Sequence, residues 1–216
     1  MFLTFVETNK NNMKYTIIGD VHGKTDQYKK IVDNCESSIC VGDFGFREEW
    51  CWLINHKNNQ DKNGLWNHWI VMGNHDYIPF SHTYPSIKDH AFWPKENIFM
   101  VRGAESVDKH YRVEGQDWFS NEELNYQEQL KAFDKYCECK PKIVISHDCP
   151  QMVVGELFGI YDKSQTRSML EMMFQEHQPE LWIFGHHHKS KDRIINGTRF
   201  ICLDELETFE LVLDEK

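Results

Sequence analysis

Short apolar segments alternate along the chain with segments of helical character. Five of the apolar segments have the length of buried strands, and they cover residues 14–19, 38–41, 66–72, 142–145 and 181–184. Helices are predicted at residues 25–35, 48–58, 127–136 and 164–177. Short strands that alternate with helices are typical of an α/β fold with layered sheets.

The C-terminal part of the chain has a different pattern. Residues 193–195 and 199–203 flank the dipeptide Asn196-Gly197, which favours a β-hairpin with a type I′ turn. A further strand is predicted at residues 207–213. The chain shows no repeat and no linker, so we predict a single domain over residues 14–216, preceded by residues 1–13 as an N-terminal extension or edge strand.

Composition and charge narrow the range of functions. Of 216 residues, 40% are hydrophobic, which is enough for one well-buried domain. The 24 Lys and Arg against 34 Asp and Glu give a net charge of −10, which argues against tight binding to long nucleic acid. No stretch approaches the roughly 18 apolar residues of a membrane span, so no membrane partner is expected.

The expected location is the cytoplasm. The N-terminus lacks the features of a secretory signal, and the seven cysteines are odd in number and mostly scattered, which favours reduced thiols. The sequence makes no prediction of the oligomeric state.

All five predicted strands end in loops that carry Asp, Asn or His. These loops contain two carboxylates, one amide and five imidazoles: Asp20, His22, Asp43, Asn74, His75, His147, His186 and His188. A single such residue is usually a turn or capping residue, but five loops of the same kind are improbable by chance. Strand ends of an α/β sheet converge on one edge, and a mixed N/O set suits Mn, Fe, Co, Ni or Zn. One bridging carboxylate holds two ions about 3.5–4 Å apart.

Five motifs in this order carry a resemblance to a known family. They are GDVHG (19–23), GDFG (42–45), GNHD (73–76), SHDCP (146–150) and GHHH (185–188). The series resembles the calcineurin-like metallophosphoesterase family. The resemblance implies a layered α/β/β/α sandwich of two mixed β-sheets flanked by helices, and a hydrolase of phosphate esters that uses two divalent metal ions, with Mn expected first.

The resemblance also implies roles for individual residues. The first metal would be held by Asp20, His22 and His188, and the second by Asn74, His147 and His186, with Asp43 bridging the two. His75 would donate a proton to the leaving group, a duty that suits an imidazole. Asp76 would either orient His75 or close a turn.

The second motif departs from the protein serine/threonine phosphatase branch. That branch reads GDxxDRG, whereas this chain reads GDFGFRE, with Phe46 in place of the acidic residue. Arg47 falls at the offset of the arginine that binds the substrate phosphate, so we assign it to substrate binding. Met72 replaces the usual arginine before GNHD. His187 is expected to face either an internal partner or the substrate entrance, and we assign it to substrate binding as well.

Two further segments have open interpretations. Ser106, Asp108 and Arg112 belong to a stretch shared with bacterial and phage members of the family; they either stiffen the loop beneath the metals, line the substrate entrance, or form a buried turn network. Residues 149–165 are long for a connection and are interpreted as a flap over the metals. Arg167, just beyond this segment, could contact phosphate, but a solvated charge is the default expectation.

The sequence therefore predicts a phosphatase or phosphodiesterase that acts on a small phosphorylated substrate, with a nucleotide as the favoured kind. The alternatives are a serine/threonine-type protein phosphatase and, with less support, a non-catalytic metal-binding interaction module. A nuclease is disfavoured by the net charge.

Overall fold

The computed structural model describes residues 13–45, 66–76, 85–116 and 118–213. Within them, the helices are α1 (Thr25–Val32), α2 (Tyr126–Cys139), α3 (Gln151–Phe158) and α4 (Gln165–Glu176). The strands are β1 (Met13–Ile18), β2 (Ser38–Cys40), β3 (His68–Val71), β4 (Ser86–Ile87), β5 (His90–Trp93), β6 (Ile98–Val101), β7 (Ile143–Ser146), β8 (Leu181–Phe184), β9 (Lys191–Ile195), β10 (Thr198–Cys202) and β11 (Thr208–Leu213).

The strands form two mixed sheets. The first has the order β11-β1-β2-β3-β4, in which only β11 runs antiparallel to its neighbour. The second has the order β5-β6-β7-β8-β10-β9, with a parallel centre and antiparallel edge strands. Two mixed sheets flanked by helices confirm the predicted α/β class.

Alternation along the strands creates three apolar layers. Ile17, Ile39 and Val71 of the first sheet pack with Ile145 and Ile183 of the second, which places one core between the sheets. Each buried aliphatic side chain of this kind contributes roughly 1.5–3 kcal/mol.

The other faces of the two sheets are covered by helices. Ile18 and Cys40 face Tyr28 of α1, because side chains one residue apart on a strand point to opposite faces. On the far side of the second sheet, Trp182 and Phe200 pack against residues of α2, α3 and α4. The order of layers is therefore helix, sheet, sheet, helices.

The C-terminal hairpin is confirmed. β9 pairs antiparallel with β10, and the turn residues Asn196 and Gly197 both have positive φ, 49° and 86°. Two residues with φ > 0 are the requirement of a type I′ turn.

The segment after the fourth motif corrects the flap interpretation. Residues 151–158 form α3, whose Val153 and Val154 are fully buried in the core beside the second sheet. The helix was missed because its first turn has no side-chain cap and Gly155 interrupts its apolar run. The interpretation as a flap over the metals is wrong for this part.

Some predictions lie outside the described residues. These are the helix at 48–58, Arg47, and the extension before Met13. The domain boundaries of 1–13 and 14–216 remain a prediction, while β1 itself begins at Met13. None of the described helices has the length and apolar character that a membrane crossing requires.

Candidate metal centre

The loops after β1, β2, β3, β7 and β8 meet at one edge of the two sheets. His22 N–H donates to Asp43 O at 2.7 Å, and Gly185 N–H donates to His147 O at 3.0 Å, so loops within each sheet are joined by their backbones. His186 N–H donates to Asp20 Oδ2 at 2.9 Å, which joins the two sheets. The predicted ligands that are far apart in sequence therefore lie together.

Four ligand atoms form a first group. Atoms of Asp20, His22, Asp43 and His188 all lie within 4.8 Å of one another. The Nε2 atoms of His22 and His188 are 2.8 Å apart, and His188 Nε2 is 3.3 Å from Asp20 Oδ2. Asp20 is fully buried, while the side chain of His188 is 42% exposed. The group opens to solvent on the histidine side.

A second group adjoins the first. Atoms of Asp43, His147 and His186 lie within 4.8 Å of one another. Asn74 joins them, because its Oδ1 is 2.9 Å from His147 Nε2. The second group is thus composed of one carboxylate, one amide oxygen and two imidazoles.

Asp43 belongs to both groups. Its Oδ2 is 3.7 Å from His22 Nε2 in the first, and its Oδ1 is 3.4 Å from His147 Nε2 in the second. Asp43 is 1% exposed. A buried carboxylate whose two oxygens face two sets of donors has the position that a bridging ligand needs.

The buried atoms of the site fit cations. Asp20 Oδ1 is buried and has no hydrogen-bond partner among the described residues. An unpaired buried oxygen of this kind costs about 1–3 kcal/mol or more when it is charged, and a divalent cation would satisfy it. Carboxylate, amide and imidazole donors in one cluster suit borderline divalent ions.

Four of these residues have an unusual backbone. His22, Asp43, His186 and His188 have φ between 44° and 65°, in the left-handed region that residues other than glycine rarely adopt. Such conformations cluster at functional sites, where the surrounding structure holds them. The turns direct the side chains back towards the common edge.

Glycines of the motifs make room for the ligand side chains. A Cβ at Gly42 would collide with the His147 ring, and one at Gly185 would collide with Asp20 Oδ1. A Cβ at Gly73 would collide with both Asp43 and His147. The backbone therefore approaches the ligands so closely that only glycine fits.

Burial and charge adjust the pKa values of the site. Burial lowers the pKa of His186 to about 3, which keeps its imidazole neutral and able to bind a metal. Burial alone would raise the pKa of Asp43, but the charge and hydrogen bond of His147 hold it well below its ordinary value. Asp43 is thus an anion in a buried position.

His75 and Asp76 lie beside the two groups. The backbone N–H of His75 donates to Asp43 Oδ1 at 2.9 Å, and its half-buried ring lies 5.8 Å from the ring of His22. Asp76 accepts from the backbone N–H of Gly45 at 2.7 Å and of Gly73 at 2.8 Å. Of the two roles considered for Asp76, closing a turn is the one that these bonds support.

Burial and the nearby Asp43 charge raise the pKa of Asp76 to about 7. Its hydrogen bonds join the second and third motifs.

His187 has an internal partner. Its Nε2 is 3.0 Å from Asp148 Oδ1, its ring stacks on Phe158 at 4.2 Å, and its side chain is 6% exposed. Asp148 also accepts from Arg167 Nε at 2.7 Å, and Arg167 is 2% exposed, so the expectation that Arg167 is solvated is wrong. Substrate binding by His187 stays a prediction, with little exposed surface to support it.

The sequence did not reveal the hydrogen bonds that two residues, Ser106 and Glu122, make next to the second group. Ser106 is 2% exposed and accepts from Asn74 Nδ2 at 2.9 Å, and Glu122 bonds to Ser106 in turn. The motif stretch around Ser106 allowed a role beneath the metals or in a buried turn network. Glu122 lies 16 residues further on, and nothing in the sequence indicated that the two residues are hydrogen-bonded to each other.

The model of one family matches most of the chain. It is described as calcineurin-like phosphoesterase, and it matches residues 13–190. The chain belongs to the calcineurin-like phosphoesterase family. This phosphoesterase is therefore a metal-dependent enzyme of that class, and the shared family and the ligand groups indicate a dinuclear site for divalent metals.

Solved structures share the fold of this phosphoesterase at low identity. The protein TT1561 of Thermus thermophilus has a TM-score of 0.55 and 13% identity, over 91% of each chain. A dimetal phosphatase from Danio rerio has a TM-score of 0.55 and 12% identity, over 94% of this chain and 93% of that one. GAP50, described as the anchor in the inner membrane complex of Plasmodium, has a TM-score of 0.53 and 10% identity, over 89% and 71%. The curated proteins include no match.

Gly73→Ala is expected to weaken binding of Mn²⁺ by about 10- to 100-fold, the effect typical of displaced support around a metal ligand. The new methyl group would push against Asp43 and the His147 ring. Isothermal titration calorimetry measures the affinities. Gly155→Ala is the control, since Gly155 lies in α3 without a positive φ and a Cβ there would meet mainly the exposed Tyr161 ring, at 3.1 Å. Parental affinity in Gly73→Ala would show that the close approach is unimportant.

Proposed function

We propose that this phosphoesterase hydrolyses phosphate esters of small, nucleotide-like molecules with two divalent cations. In the proposal the ligands of the first cation are Asp20, His22 and His188, those of the second are Asn74, His147 and His186, and Asp43 bridges. The observation that carries the proposal is that the two oxygens of one buried carboxylate, Asp43, face two different ligand groups. Manganese is the first choice of metal because the donors are mixed nitrogen and oxygen.

Bound cations would acidify a water and neutralise charge on the phosphoryl oxygens. Hydrogen bonds from the backbone fix the carboxylates that would bind the cations. Asp20 is anchored by the N–H of His186, and Asp43 by the N–H of His75, so both carboxylates keep fixed orientations. Ligand groups that are already in place need no rearrangement as charge develops on the substrate.

His75 is the proposed proton donor to the leaving group. Its backbone N–H donates to Asp43, its ring lies 5.8 Å from the ring of His22, and the residue is partly exposed. An imidazole at the mouth of the site can reach a substrate oxygen without itself being a ligand. An imidazole ring can carry a proton on one nitrogen and release it to a leaving group.

The net negative charge of the chain and its departures from the protein phosphatase motifs favour a small substrate. A net charge of −10 disfavours long polyanions. The second motif lacks the acidic residue of protein phosphatases, and Met72 replaces the arginine that precedes their third motif. We assign phosphate contact to Arg47, which lies outside the described residues. A cytoplasmic location is part of the proposal and rests on the scattered, odd-numbered cysteines.

The alternative of a non-catalytic module has some support from the fold alone. GAP50 has a similar fold and is described as an anchor, and one fold can host unrelated functions. The complete set of candidate ligands and the retained His75 favour catalysis in this chain.

Asp43→Asn is expected to abolish binding of both Mn²⁺ ions and hydrolysis of p-nitrophenyl phosphate and its bis-ester. The amide would replace one of the two oxygens with a donor and remove the negative charge between the cations. Calorimetry and a colorimetric rate assay measure the two effects. Asp192→Asn, at an exposed ion pair with Arg199, is the control. Two cations bound with parental affinity in Asp43→Asn would rule out the bridging role.

His75→Ala is expected to retain both cations and to lower kcat by about 10²- to 10⁴-fold. The loss should be largest for esters whose leaving groups have high pKa values, because these need protonation most. A series of substituted phenyl phosphates measures this dependence. His110→Ala, an exposed histidine, is the control. A uniform loss across the series would contradict the role of proton donor.

A panel of nucleotides, cyclic nucleotides, dinucleoside polyphosphates and phosphopeptides tests the substrate class with the Mn²⁺-loaded enzyme. We expect kcat/KM for at least one nucleotide-type substrate to exceed that of every phosphopeptide by more than tenfold. Preference for phosphopeptides would support the protein phosphatase alternative instead.

A further inference from the structure

The side chain of Asn74 has two ends, and only one of them can face a cation. The oxygen accepts and can bind a metal, whereas the NH₂ group only donates. Asn74 Oδ1 lies 2.9 Å from His147 Nε2, inside the second ligand group, and Nδ2 donates to Ser106 Oγ at 2.9 Å. The two orientations of the amide, related by a rotation of about 180°, occupy the same space. Only hydrogen bonding can therefore favour the orientation in which the oxygen faces the cation.

Ser106 has only one hydroxyl proton, and it is used in a hydrogen bond to Glu122. Ser106 Oγ donates to Glu122 Oε2 at 2.6 Å, and Ser106 N–H donates to Glu122 Oε1 at 3.1 Å. An ionised carboxylate can only accept hydrogen bonds. The hydroxyl of Ser106 is therefore left with acceptor capacity alone, and its remaining neighbour, Asn74, has to present its NH₂ group.

Glu122 is itself held firmly. Arg102 Nη1 donates to the backbone oxygens of Asn121 at 2.9 Å and Glu122 at 3.2 Å. Gly103 N–H donates to Met72 O at 3.0 Å, directly before the third motif. These bonds join the segment that carries Glu122 to the loop that carries Asn74.

The whole series is shielded from water. Asn74 and Ser106 are 2% exposed, Arg102 is 3% exposed and Glu122 is 4% exposed. Water cannot readily replace any one of the partners, so the direction of each hydrogen bond is set by the next group in the series.

We propose that Glu122, acting through Ser106, is a positioning residue that orients the amide of Asn74 so that its oxygen faces the second cation. The inference rests on the proposed function, because it takes Asn74 as a ligand. Glu122 and Ser106 touch neither substrate nor cation in this proposal. Their effect on chemistry passes entirely through the orientation of one amide.

Glu122→Gln is the sharpest test, because it preserves shape and changes only hydrogen-bonding capacity. The new amide can donate to Ser106 Oγ, which frees the Ser106 hydroxyl to donate to Asn74 Oδ1 and lets the Asn74 amide turn over. We expect the affinity for the second Mn²⁺ to fall by about 10- to 100-fold, with the affinity for the first unchanged. Calorimetric titration of the full chain with Mn²⁺ measures both steps.

Ser106→Ala provides a second, independent variant that removes the acceptor facing Asn74. We expect the same selective loss, and the double variant should lose no more than the larger single loss, since both changes act on one series. Glu114→Gln and Ser120→Ala are the matched controls, as both positions are exposed. Thermal unfolding with chelator present reports stability separately from cation affinity.

The outcomes separate the two levels of the proposal. If the parent binds two Mn²⁺ ions and both variants bind the second with parental affinity, the positioning role is overturned. A lowered thermal midpoint with an unchanged ratio of the two affinities would overturn it too, by showing a merely structural role. A parent that binds fewer than two cations would overturn the proposed function and this inference together.

Discussion

The Asp43 carboxylate lies buried between two sets of ligand atoms, and each of its oxygens faces one set. Several features of the surrounding chain accommodate this carboxylate. The backbone of Asp43 takes a left-handed φ of 44°, and Gly73 leaves the space that its side chain fills. Its negative charge is kept by His147 despite burial. The fold thus concentrates an unusual backbone conformation, close packing and a buried negative charge at one point.

Local sequence patterns were sufficient to predict the strands that carry the ligands. β1, β2, β3, β7 and β8 are short apolar runs followed at once by a polar motif, and the type I′ turn at Asn196-Gly197 has its own signature. The set of candidate ligands followed from the same motifs, because parallel strands present their carboxyl ends at a common edge. Their division between two metals was implied only by the resemblance to the family.

Features that depend on tertiary contacts were not predictable in this way. α3 is stabilised by burial of Val153 and Val154 and has no capping residue to announce it. Arg167 resembles a surface residue in sequence, yet it is buried against Asp148. The bond of Ser106 to Glu122 joins two polar residues of an irregular segment. No periodicity marks such pairs, since only the packing of the loops brings them together.

The candidate ligands come from both sheets. Asp20, Asp43 and Asn74 follow strands of the first sheet, while His147, His186 and His188 follow strands of the second. Each proposed cation would therefore have ligands on both sides of the apolar layer between the sheets. It would act as a cross-link between two halves of the domain that are otherwise joined at this edge by a few hydrogen bonds. Binding of the cations and association of the two sheets would therefore be coupled, so that each favours the other.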